Sequence, residues 1–321
     1  MDTFQAQSTV LGFIGFGEAA FHIGKGLIQE GLASIRAFDM LAEDPEKGSR
    51  IRERASSLGV TLEPSLEALC GHSDILICAT SAKSALPIAR SVKAFLLPRH
   101  LYVDLNAASA FVKQEIDEEL RPTGARFADA AVMDSVPGLG HTVPILVSGS
   151  GAAAFERFAF SFGMNVRCMN ERAGSASGVK MLRSIFMKGF TSLLFETLAA
   201  SEAMGATDAI LASIEQTLFA KPLEETANGL LTRTVLHAER RVGEMEEVIR
   251  TLDHLGVDAT LCLAVKEKLQ RFVETGSAER YSQDPPERYR DVLSDPALRT
   301  NLCSPEERFD SRSLEVRGEL T

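Results

Sequence analysis

The first half of the chain alternates short apolar runs with stretches of helical periodicity. The runs predict strands at Val10–Ile14, Ser34–Asp39, Val60–Thr61, Ser73–Ala79, Leu101–Asn106, Phe127–Val132, Pro144–Ser148 and Asn165–Cys168. Helices are predicted between them, including Pro45–Leu58, Leu66–Cys70, Ala85–Phe95 and Phe155–Phe162. Strands that alternate with helices indicate a parallel sheet joined by crossover helices.

The pattern changes near Asn170. From Ser175 to about Thr275 only helical periodicity is present, and we expect it to break near Gly205, Gly229 and Gly256. We therefore predict an α/β domain over residues 1–170, an all-α domain over 171–275 and a polar tail over 276–321. The composition of the tail makes it a poor core-former, which we expect to wrap the surface or fray.

The composition argues against several classes of protein. The chain has 321 residues, 45% of them hydrophobic, which is enough for two soluble domains. A net charge of −10 argues against a nucleic-acid partner. We expect no secretory signal and no membrane span, because the N-terminus is polar and no apolar run reaches ~20 residues. Five cysteines lie far apart at positions 70, 78, 168, 262 and 303, so we expect reduced thiols, no metal site and a cytoplasmic protein.

A glycine-rich turn follows the first predicted strand. Gly15 permits a sharp turn, Gly17 permits close approach of a pyrophosphate, and the small Ala20 lets the next helix pack close to the strand. The first amides of that helix would face the phosphates. We predict a dinucleotide-binding Rossmann domain followed by an all-α C-terminal domain. The predicted cofactor loop comprises Gly15, Phe16, Gly17, Glu18, Ala19 and Ala20.

Other polar residues at strand ends are candidates for the same site. Asp39 ends the second strand, where a carboxylate would bind the ribose hydroxyls and repel a 2′-phosphate, so we predict NAD, with NADP possible. Thr80 and Ser81 end a later strand and could line the cofactor or simply end the strand. Asn106 could contact cofactor and substrate, or cap the following helix.

A long helix is predicted from Gly174 to about Met204. Its polar stripe contains Lys180, Ser184, Lys188 and Thr191, a pattern that by itself is typical of a solvated face. Small residues at 174, 176 and 178 favour close packing of the helix start. We predict Lys180 as the general acid/base of an alcohol oxidation, because burial and nearby positive charge lower the pKa of an amine.

These motifs together resemble those of the β-hydroxyacid dehydrogenase superfamily, which includes the 6-phosphogluconate and 3-hydroxyisobutyrate dehydrogenases. The resemblance covers Val10 to Thr275. The family's Asp-Ala-Pro-Val-Ser-Gly-Gly segment aligns with Asp129–Ser135, and its Gly-x-Gly-x-x-x-Lys-x-x-x-Asn helix aligns with Gly174–Ser184. The resemblance implies that Lys180 is catalytic. It also implies substrate contacts from Met133, Asp134 and Ser135. We further expect Asn106, Ser184 and Lys188 to orient the substrate.

The sequence departs from the family in the substrate segment. Met133-Asp134-Ser135 replaces Ser-Gly-Gly, and Ser184 replaces the asparagine after the lysine. The run Lys180–Ser184 is similar to a phosphogluconate dehydrogenase-like subgroup that has its own C-terminal domain, which His237–Glu247 also resembles. In that run, Arg240, Arg241 and Glu244 could form an exposed salt-bridged helix, or Arg241 could bind a substrate carboxylate.

The resemblance implies hydride transfer between nicotinamide and a small β-hydroxy acid or related alcohol. It also implies a homodimer formed through the helical domain. Two alternatives stay open. One is an imine reductase of the same architecture, although related imine reductases usually lack the lysine. The other is a non-catalytic nucleotide-binding regulator, because one fold serves many functions.

Overall fold

The computed structural model describes residues 8–299. The chain divides into two compact units, Met1–Met187 and Lys188–Thr321. The predicted boundary near residue 170 follows the secondary structure, because only helices follow Asn170 as far as residue 299. The compact units divide later, inside a long helix, because the first turns of that helix pack against the sheet of the first unit.

The first unit is built around one sheet of eight strands. They are β1 (Val10–Ile14), β2 (Ser34–Phe38), β3 (Thr61–Leu62), β4 (Ile75–Cys78), β5 (Leu101–Asp104), β6 (Arg126–Val132), β7 (Ile145–Ser148) and β8 (Val166–Asn170). Their order is β3-β2-β1-β4-β5-β6-β7-β8. The prediction of a parallel sheet implies that all seven pairs of neighbouring strands are parallel. In the structure the pair β6–β7 is antiparallel.

The reversed strand corrects the prediction of a wholly parallel sheet. Residues 133–144 contain only a four-residue helix, α6 (Val136–Leu139), and a short 3-10 turn, Gly140–Thr142. This segment packs on the first helix of the unit and returns β7 beside β6 from the same edge. A parallel return would need a longer crossover connection, usually a full helix. The segment is therefore packed structure rather than an open loop.

Helices cover both faces of the sheet. They are α1 (Glu18–Gln29), α2 (Gly48–Leu58), α3 (Leu66–Gly71), α4 (Ala85–Val92), α5 (Ala110–Leu120), α7 (Ala152–Ser161) and the start of α8 (Ser175–Ala203). Alternate strand residues enter two separate cores: Phe13 and Ile77 lie in one, and Ile14 and Leu76 in the other. Because both faces are buried, the central strands are apolar at nearly every position.

The second unit is helical throughout its described part. After α8 it contains α9 (Thr207–Leu218), α10 (Leu223–Leu236), α11 (Ala238–Leu255), α12 (Thr260–Glu274), α13 (Ser277–Arg280), α14 (Tyr289–Ser294) and α15 (Pro296–Arg299). Helices end near Gly205 and Gly256, as predicted, and both glycines have a φ of 66°. The prediction of a break near Gly229 was wrong, because that residue lies inside α10. One glycine inside a helix lowers its stability by only about 1 kcal/mol relative to alanine.

The predicted tail contains packed helices in its described part. Ser277 and Val292 are buried, and the Tyr289 amide donates to Asn228 Oδ1 at 2.9 Å. These contacts attach α13 and α14 to α10, which the polar composition did not predict. Residues 300–321, with Cys303, lie outside the described residues. Across positions 8–299, no helix has both the length and the apolar character that a membrane span needs.

Candidate functional site

The glycine-rich turn lies between the ends of β2 and β4. Gly15 has a φ of 86°, a conformation that favours glycine. A Cβ at this position would lie 2.7 Å from the Ala79 carbonyl oxygen. The Gly15 amide donates to the Phe38 carbonyl oxygen at 2.8 Å. Sterics and hydrogen bonding together therefore require glycine here and fix the path of the turn.

The next glycine opens onto free space. A Cβ on Gly17 would meet no atom of the described residues within 4 Å. Gly17 also precedes α1, and no described side chain caps the amides of that helix. An anion can therefore approach both the main chain and the positive end of the helix dipole. The turn fits the pyrophosphate of a dinucleotide.

The remaining residues of the loop have different surroundings. Glu18 is exposed and Ala19 is half-buried. Ala20 is fully buried, where its small side chain lets α1 lie close to the sheet. The Phe16 ring is buried 5.9 Å from the Phe13 ring, centroid to centroid, so only its backbone can face a ligand.

Asp39 is tied directly to the glycine-rich turn. One carboxylate oxygen, Oδ2, accepts from the Phe16 amide at 2.8 Å, and Oδ1 accepts from the Leu41 amide at 2.9 Å. A carboxylate has about four acceptor positions, so each oxygen retains one. The half-buried side chain is thus held with spare acceptors beside the turn.

Asn106 joins the ends of β4 and β5. Its Oδ1 accepts from the Thr80 amide at 2.7 Å, and its Nδ2 donates to Cys78 Sγ at 3.2 Å. The cap of α5 is Ser109, whose Oγ accepts from the Val112 amide, so Asn106 is not the capping residue. The buried Asn106 amide orients the strand end that carries the exposed Thr80.

Ser81 also has a local partner. Its Oγ accepts from the Ser84 amide at 3.3 Å and caps a short 3-10 turn, Ala82–Ser84. This contact accounts for a serine at the strand end without a ligand. It leaves Ser81 exposed beside Thr80, at the carboxyl edge of β4.

The start of α8 is fastened to the sheet by a buried polar cluster. Asp129 Oδ1 accepts from Ser177 Oγ at 2.6 Å, and Asp129 Oδ2 accepts from the Ser177 amide at 3.0 Å. Ser148 Oγ accepts from the Ala176 amide at 3.0 Å. Sequence reasoning missed this cluster. An aspartate in the middle of an otherwise apolar strand is the one signal that could have indicated it.

Lys180 lies one helical turn after Ser177, on the same side of α8. It is half-buried. One turn further on, the Ser184 hydroxyl donates to the Lys180 carbonyl oxygen at 3.0 Å. Arg183 Nη1 donates to the Met133 carbonyl oxygen at 3.3 Å. The helix therefore runs from the middle of β6 to its carboxyl end, and the lysine lies between these two attachments.

The other predicted substrate residues are distributed between the units. Asp134 and Ser135 are exposed just after β6, next to the Met133 carbonyl. Lys188 and Arg241 belong to the second unit. Arg241 Nη1 donates to Thr234 Oγ1 at 2.8 Å within that unit. An exposed ion pair of 2.6 Å joins Arg240 to Glu244, which is the salt-bridged helix considered above.

The four cysteines that the structure describes do not form a reactive site. Burial raises the pKa of the Cys70 and Cys78 thiols to about 12, so both stay protonated at neutral pH. Cys168 and Cys262 are half-buried free thiols. In the part of the chain that the structure describes, no three His, Cys, Asp or Glu side chains gather as metal ligands would.

Comparison with known proteins agrees with this geometry. Residues 10–108 match a family described as NADP oxidoreductase coenzyme F420-dependent, and residues 201–272 match a domain of unknown function, DUF1932. A conserved hypothetical protein from Sinorhizobium meliloti 1021 is 30% identical, with a TM-score of 0.59. The match covers 94% of this chain and 100% of that chain.

Two further relatives have similar coverage. The conserved protein MTH1747, described as structurally similar to 3-hydroxyacid dehydrogenases, is 31% identical over 82% of this chain and 97% of its own, with a TM-score of 0.55. An uncharacterized 28.5 kDa protein from Methanothermus fervidus is 27% identical over 242 residues, which is 74% of this chain and 88% of that protein.

More distant structures share the fold. An imine reductase variant from Myxococcus stipitatus, in complex with NAD+, is 18% identical with a TM-score of 0.70 over 92% of this chain and 99% of its own. The sheet, the glycine-rich turn and the helical second unit thus define an NAD(P)-binding oxidoreductase fold. The chain belongs to the β-hydroxyacid dehydrogenase superfamily.

Proposed function

We propose that the chain is an NAD-dependent dehydrogenase that acts on a small β-hydroxy acid or related alcohol, with Lys180 as general acid/base. The observation that carries this proposal is the attachment of α8. Hydrogen bonds to Asp129 and Met133 hold the helix on either side of Lys180. In open α/β sheets, ligands bind outside the carboxyl ends of the strands. The Met133 attachment lies just after the carboxyl end of β6, where Lys180 would act.

The cofactor would be held by the turn Gly15–Ala20 and the first amides of α1. Bound nicotinamide supplies or accepts the hydride. Asp39 supports the choice of NAD, because its spare acceptors suit ribose hydroxyls and its charge repels a 2′-phosphate. Thr80, Ser81 and Asn106 would form the edge of the same site at the ends of β4 and β5.

Lys180 would move the proton of the reaction. During oxidation its neutral amine accepts the proton of the substrate hydroxyl, and during reduction its ammonium returns the proton to the carbonyl oxygen. The exposed Asp134 and Ser135, with Met133, would form the adjoining substrate wall. Ser184 would act through its contact with the Lys180 carbonyl. The substrate roles of Lys188 and Arg241 stay predictions from the sequence.

The decisive experiment replaces the lysine. We expect Lys180→Ala to lower turnover about 10²- to 10⁴-fold, the range for loss of a general acid/base, while NADH affinity changes little. Turnover would be followed as NADH absorbance with a panel of small β-hydroxy acids. Lys25→Ala, an exposed lysine on α1, is the matched control. Unchanged turnover in Lys180→Ala would refute the proposed role.

The same assay distinguishes the dehydrogenase from the two alternative functions. Faster reduction of cyclic imines than oxidation of hydroxy acids by the unmodified protein would favour an imine reductase. Tight NADH binding without turnover on either panel would favour a non-catalytic regulator. The proposal requires oxidation of at least one hydroxy acid that depends on Lys180.

We also propose that the chain forms a homodimer. The stripe of α8 opposite Lys180 is apolar and exposed, with Leu182, Ile185, Phe186 and Leu193 within an arc of about 100° by helical geometry. Contiguous exposed apolar patches of this kind commonly mark protein interfaces. A second copy of the chain is the partner that the family resemblance implies.

A further inference from the structure

Three charged side chains of the first unit are fully buried together. Lys113 Nζ lies 3.3 Å from Asp104 Oδ1 and 3.4 Å from Asp129 Oδ1, and none of the three is exposed to solvent. Lys113 Nζ also donates to the Asp104 carbonyl oxygen at 2.7 Å. Two carboxylates therefore share one ammonium. Burial raises the pKa of the Asp104 carboxyl, and Lys113 opposes this rise only in part.

The second carboxylate obtains its other donors from a different element. Asp129 accepts from the hydroxyl and the amide of Ser177, at 2.6 and 3.0 Å, and from Ser148 Oγ at 3.2 Å. The Ala176 amide in turn donates to Ser148 Oγ. The first amides of a helix have no partner within the helix and carry its positive dipole end. Strands β6 and β7 thus cap α8 across 48 and 28 residues of sequence, respectively.

The chain around this cap is restrained as well, from just before the helix to the position of Lys180. Gly174 lies so close to α5 that a Cβ would come within 2.5 Å of the Ala110 carbonyl oxygen, so the chain is also confined just before α8. Lys180 follows Ser177 by one turn on the same side. A rotation or shift of the first turn would therefore displace the lysine side chain directly.

We propose that Asp129 is a positioning residue: through Ser177 and Ser148 it holds the first turn of α8 so that Lys180 faces the carboxyl edge of the sheet. The inference rests on the proposed role of Lys180 as general acid/base. Asp129 itself does not contact substrate in this scheme. Its buried carboxylate acts on the reaction only through the placement of the lysine.

The test removes the serine hydroxyls rather than the carboxylate. Asp129→Asn would disturb Lys113, and breaking a buried ion pair costs about 3–5 kcal/mol, so that variant could fail to fold. The double variant Ser148→Ala/Ser177→Ala leaves the charges in place. Ser73→Ala is the matched control, because Ser73 is buried and its hydroxyl bonds to none of the described residues.

Three measurements are made on each folded protein. NADH affinity is measured by fluorescence titration. Reactivity of Lys180 toward a brief pulse of acetic anhydride is measured by mass spectrometry across a pH series. Turnover and KM are measured with the hydroxy acid that the unmodified protein oxidises fastest.

We expect the double variant to bind NADH within about twofold of the unmodified protein, because the turn Gly15–Ala20 is untouched. Turnover should fall about 10- to 100-fold with a smaller change in KM, the size expected for a ~1 Å misplacement of a catalytic group. The pH profile of Lys180 acetylation should shift, and Ser73→Ala should match the unmodified protein. Unchanged turnover and an unchanged Lys180 profile in the double variant would overturn the proposal.

The two proposals fail in different ways. If Lys180→Ala retains turnover but the double variant shifts the acetylation profile, Asp129 positions the lysine and the lysine is not the general acid/base. If Lys180→Ala loses turnover and the double variant matches the unmodified protein in both measurements, the dehydrogenase proposal holds and the positioning role is refuted.

Discussion

At the residue scale, the hydrogen bonds that a polar side chain already makes decide whether it can still bind a ligand. Asp39 and Asn106 are both polar residues at the ends of strands, but Asp39 is half-buried and Asn106 is buried. Asp39 uses one acceptor on each oxygen and keeps spare ones, whereas the Asn106 amide is occupied at both its oxygen and its nitrogen. The first arrangement suits direct binding of a ligand, and the second suits the shaping of a strand end.

Cofactor choice is the property that tests Asp39. Asp39→Asn keeps an acceptor for the Phe16 amide but removes the charge that would repel a 2′-phosphate. We expect the preference for NADH over NADPH to fall at least about tenfold, or about 1.4 kcal/mol in binding free energy, in paired fluorescence titrations.

The control for this prediction lies in the same loop. Asp44 is half-buried, like Asp39, and accepts from the Glu46 and Lys47 amides at 2.9 and 2.8 Å. Asp44→Asn should leave the preference unchanged. Equal affinity of the unmodified protein for NADPH and NADH would contradict the role of Asp39.

At the scale of elements, two helices within residues 8–299 begin on a carboxylate supplied by another element. Asp129 of β6 caps α8, and Glu196 of α8 caps α12. Glu196 Oε2 accepts from the Leu261 amide at 2.9 Å, and its Oε1 accepts from the Cys262 amide at 3.0 Å. Such caps satisfy the unpaired amides of a helix start and also fix the place of the helix within its unit.

The Glu196 cap predicts a dependence of stability on pH. Burial raises the pKa of the Glu196 carboxyl, but hydrogen bonds from Cys262 and Leu261 outweigh it and place the pKa below its ordinary value of 4.5. A carboxyl with a lowered pKa in the folded state stabilises fully above about pH 4.5. That contribution is lost as the pH falls through the folded pKa.

Glu196→Gln should therefore destabilise the start of α12 by about 0.5–2 kcal/mol at pH 7, the usual cost of a lost cap. Hydrogen exchange of the Leu261 and Cys262 amides would measure it. The difference from the unmodified protein should shrink below pH 4.5. Glu215→Gln, on an exposed side of α9, serves as control, and equal protection of both amides in Glu196→Gln would contradict the cap.

At the scale of the whole molecule, helix α8 begins with polar contacts to the sheet and then leaves an apolar stripe exposed to solvent. Ser177 is buried against Asp129, whereas Ile185 is 72% exposed. This is the reverse of an ordinary surface helix, whose apolar side faces the core. A second copy of the chain would cover the apolar stripe and remove its side chains from water.

The dimer has a direct test. Ile185→Glu places a charge in the proposed interface, so light scattering should give the mass of one chain for the variant and of two for the unmodified protein. Phe160→Glu is the matched control, because Phe160 is 87% exposed and lies on a different helix, α7. A single-chain mass for the unmodified protein at every concentration would exclude the dimer.

The sequence by itself determined the parts of this protein that depend on local spacing. The strand and helix order, the turn Gly15–Ala20 and the length of α8 follow from periodicities of two and 3.6 residues and from the conformational freedom of glycine. The family resemblance, carried by such motifs, is confirmed by relatives at 30% and 31% identity.

Only the tertiary structure decided which distant residues meet. The direction of β7 depends on where residues 133–144 pack, and the cap of α8 depends on Asp129 meeting Ser177 across 48 positions. A helical pattern predicts two stripes on α8 but not which one is buried, because burial depends on what the rest of the chain presents to each side. In the structure Lys180 is half-buried, one turn after the buried Ser177, and Ile185 is exposed.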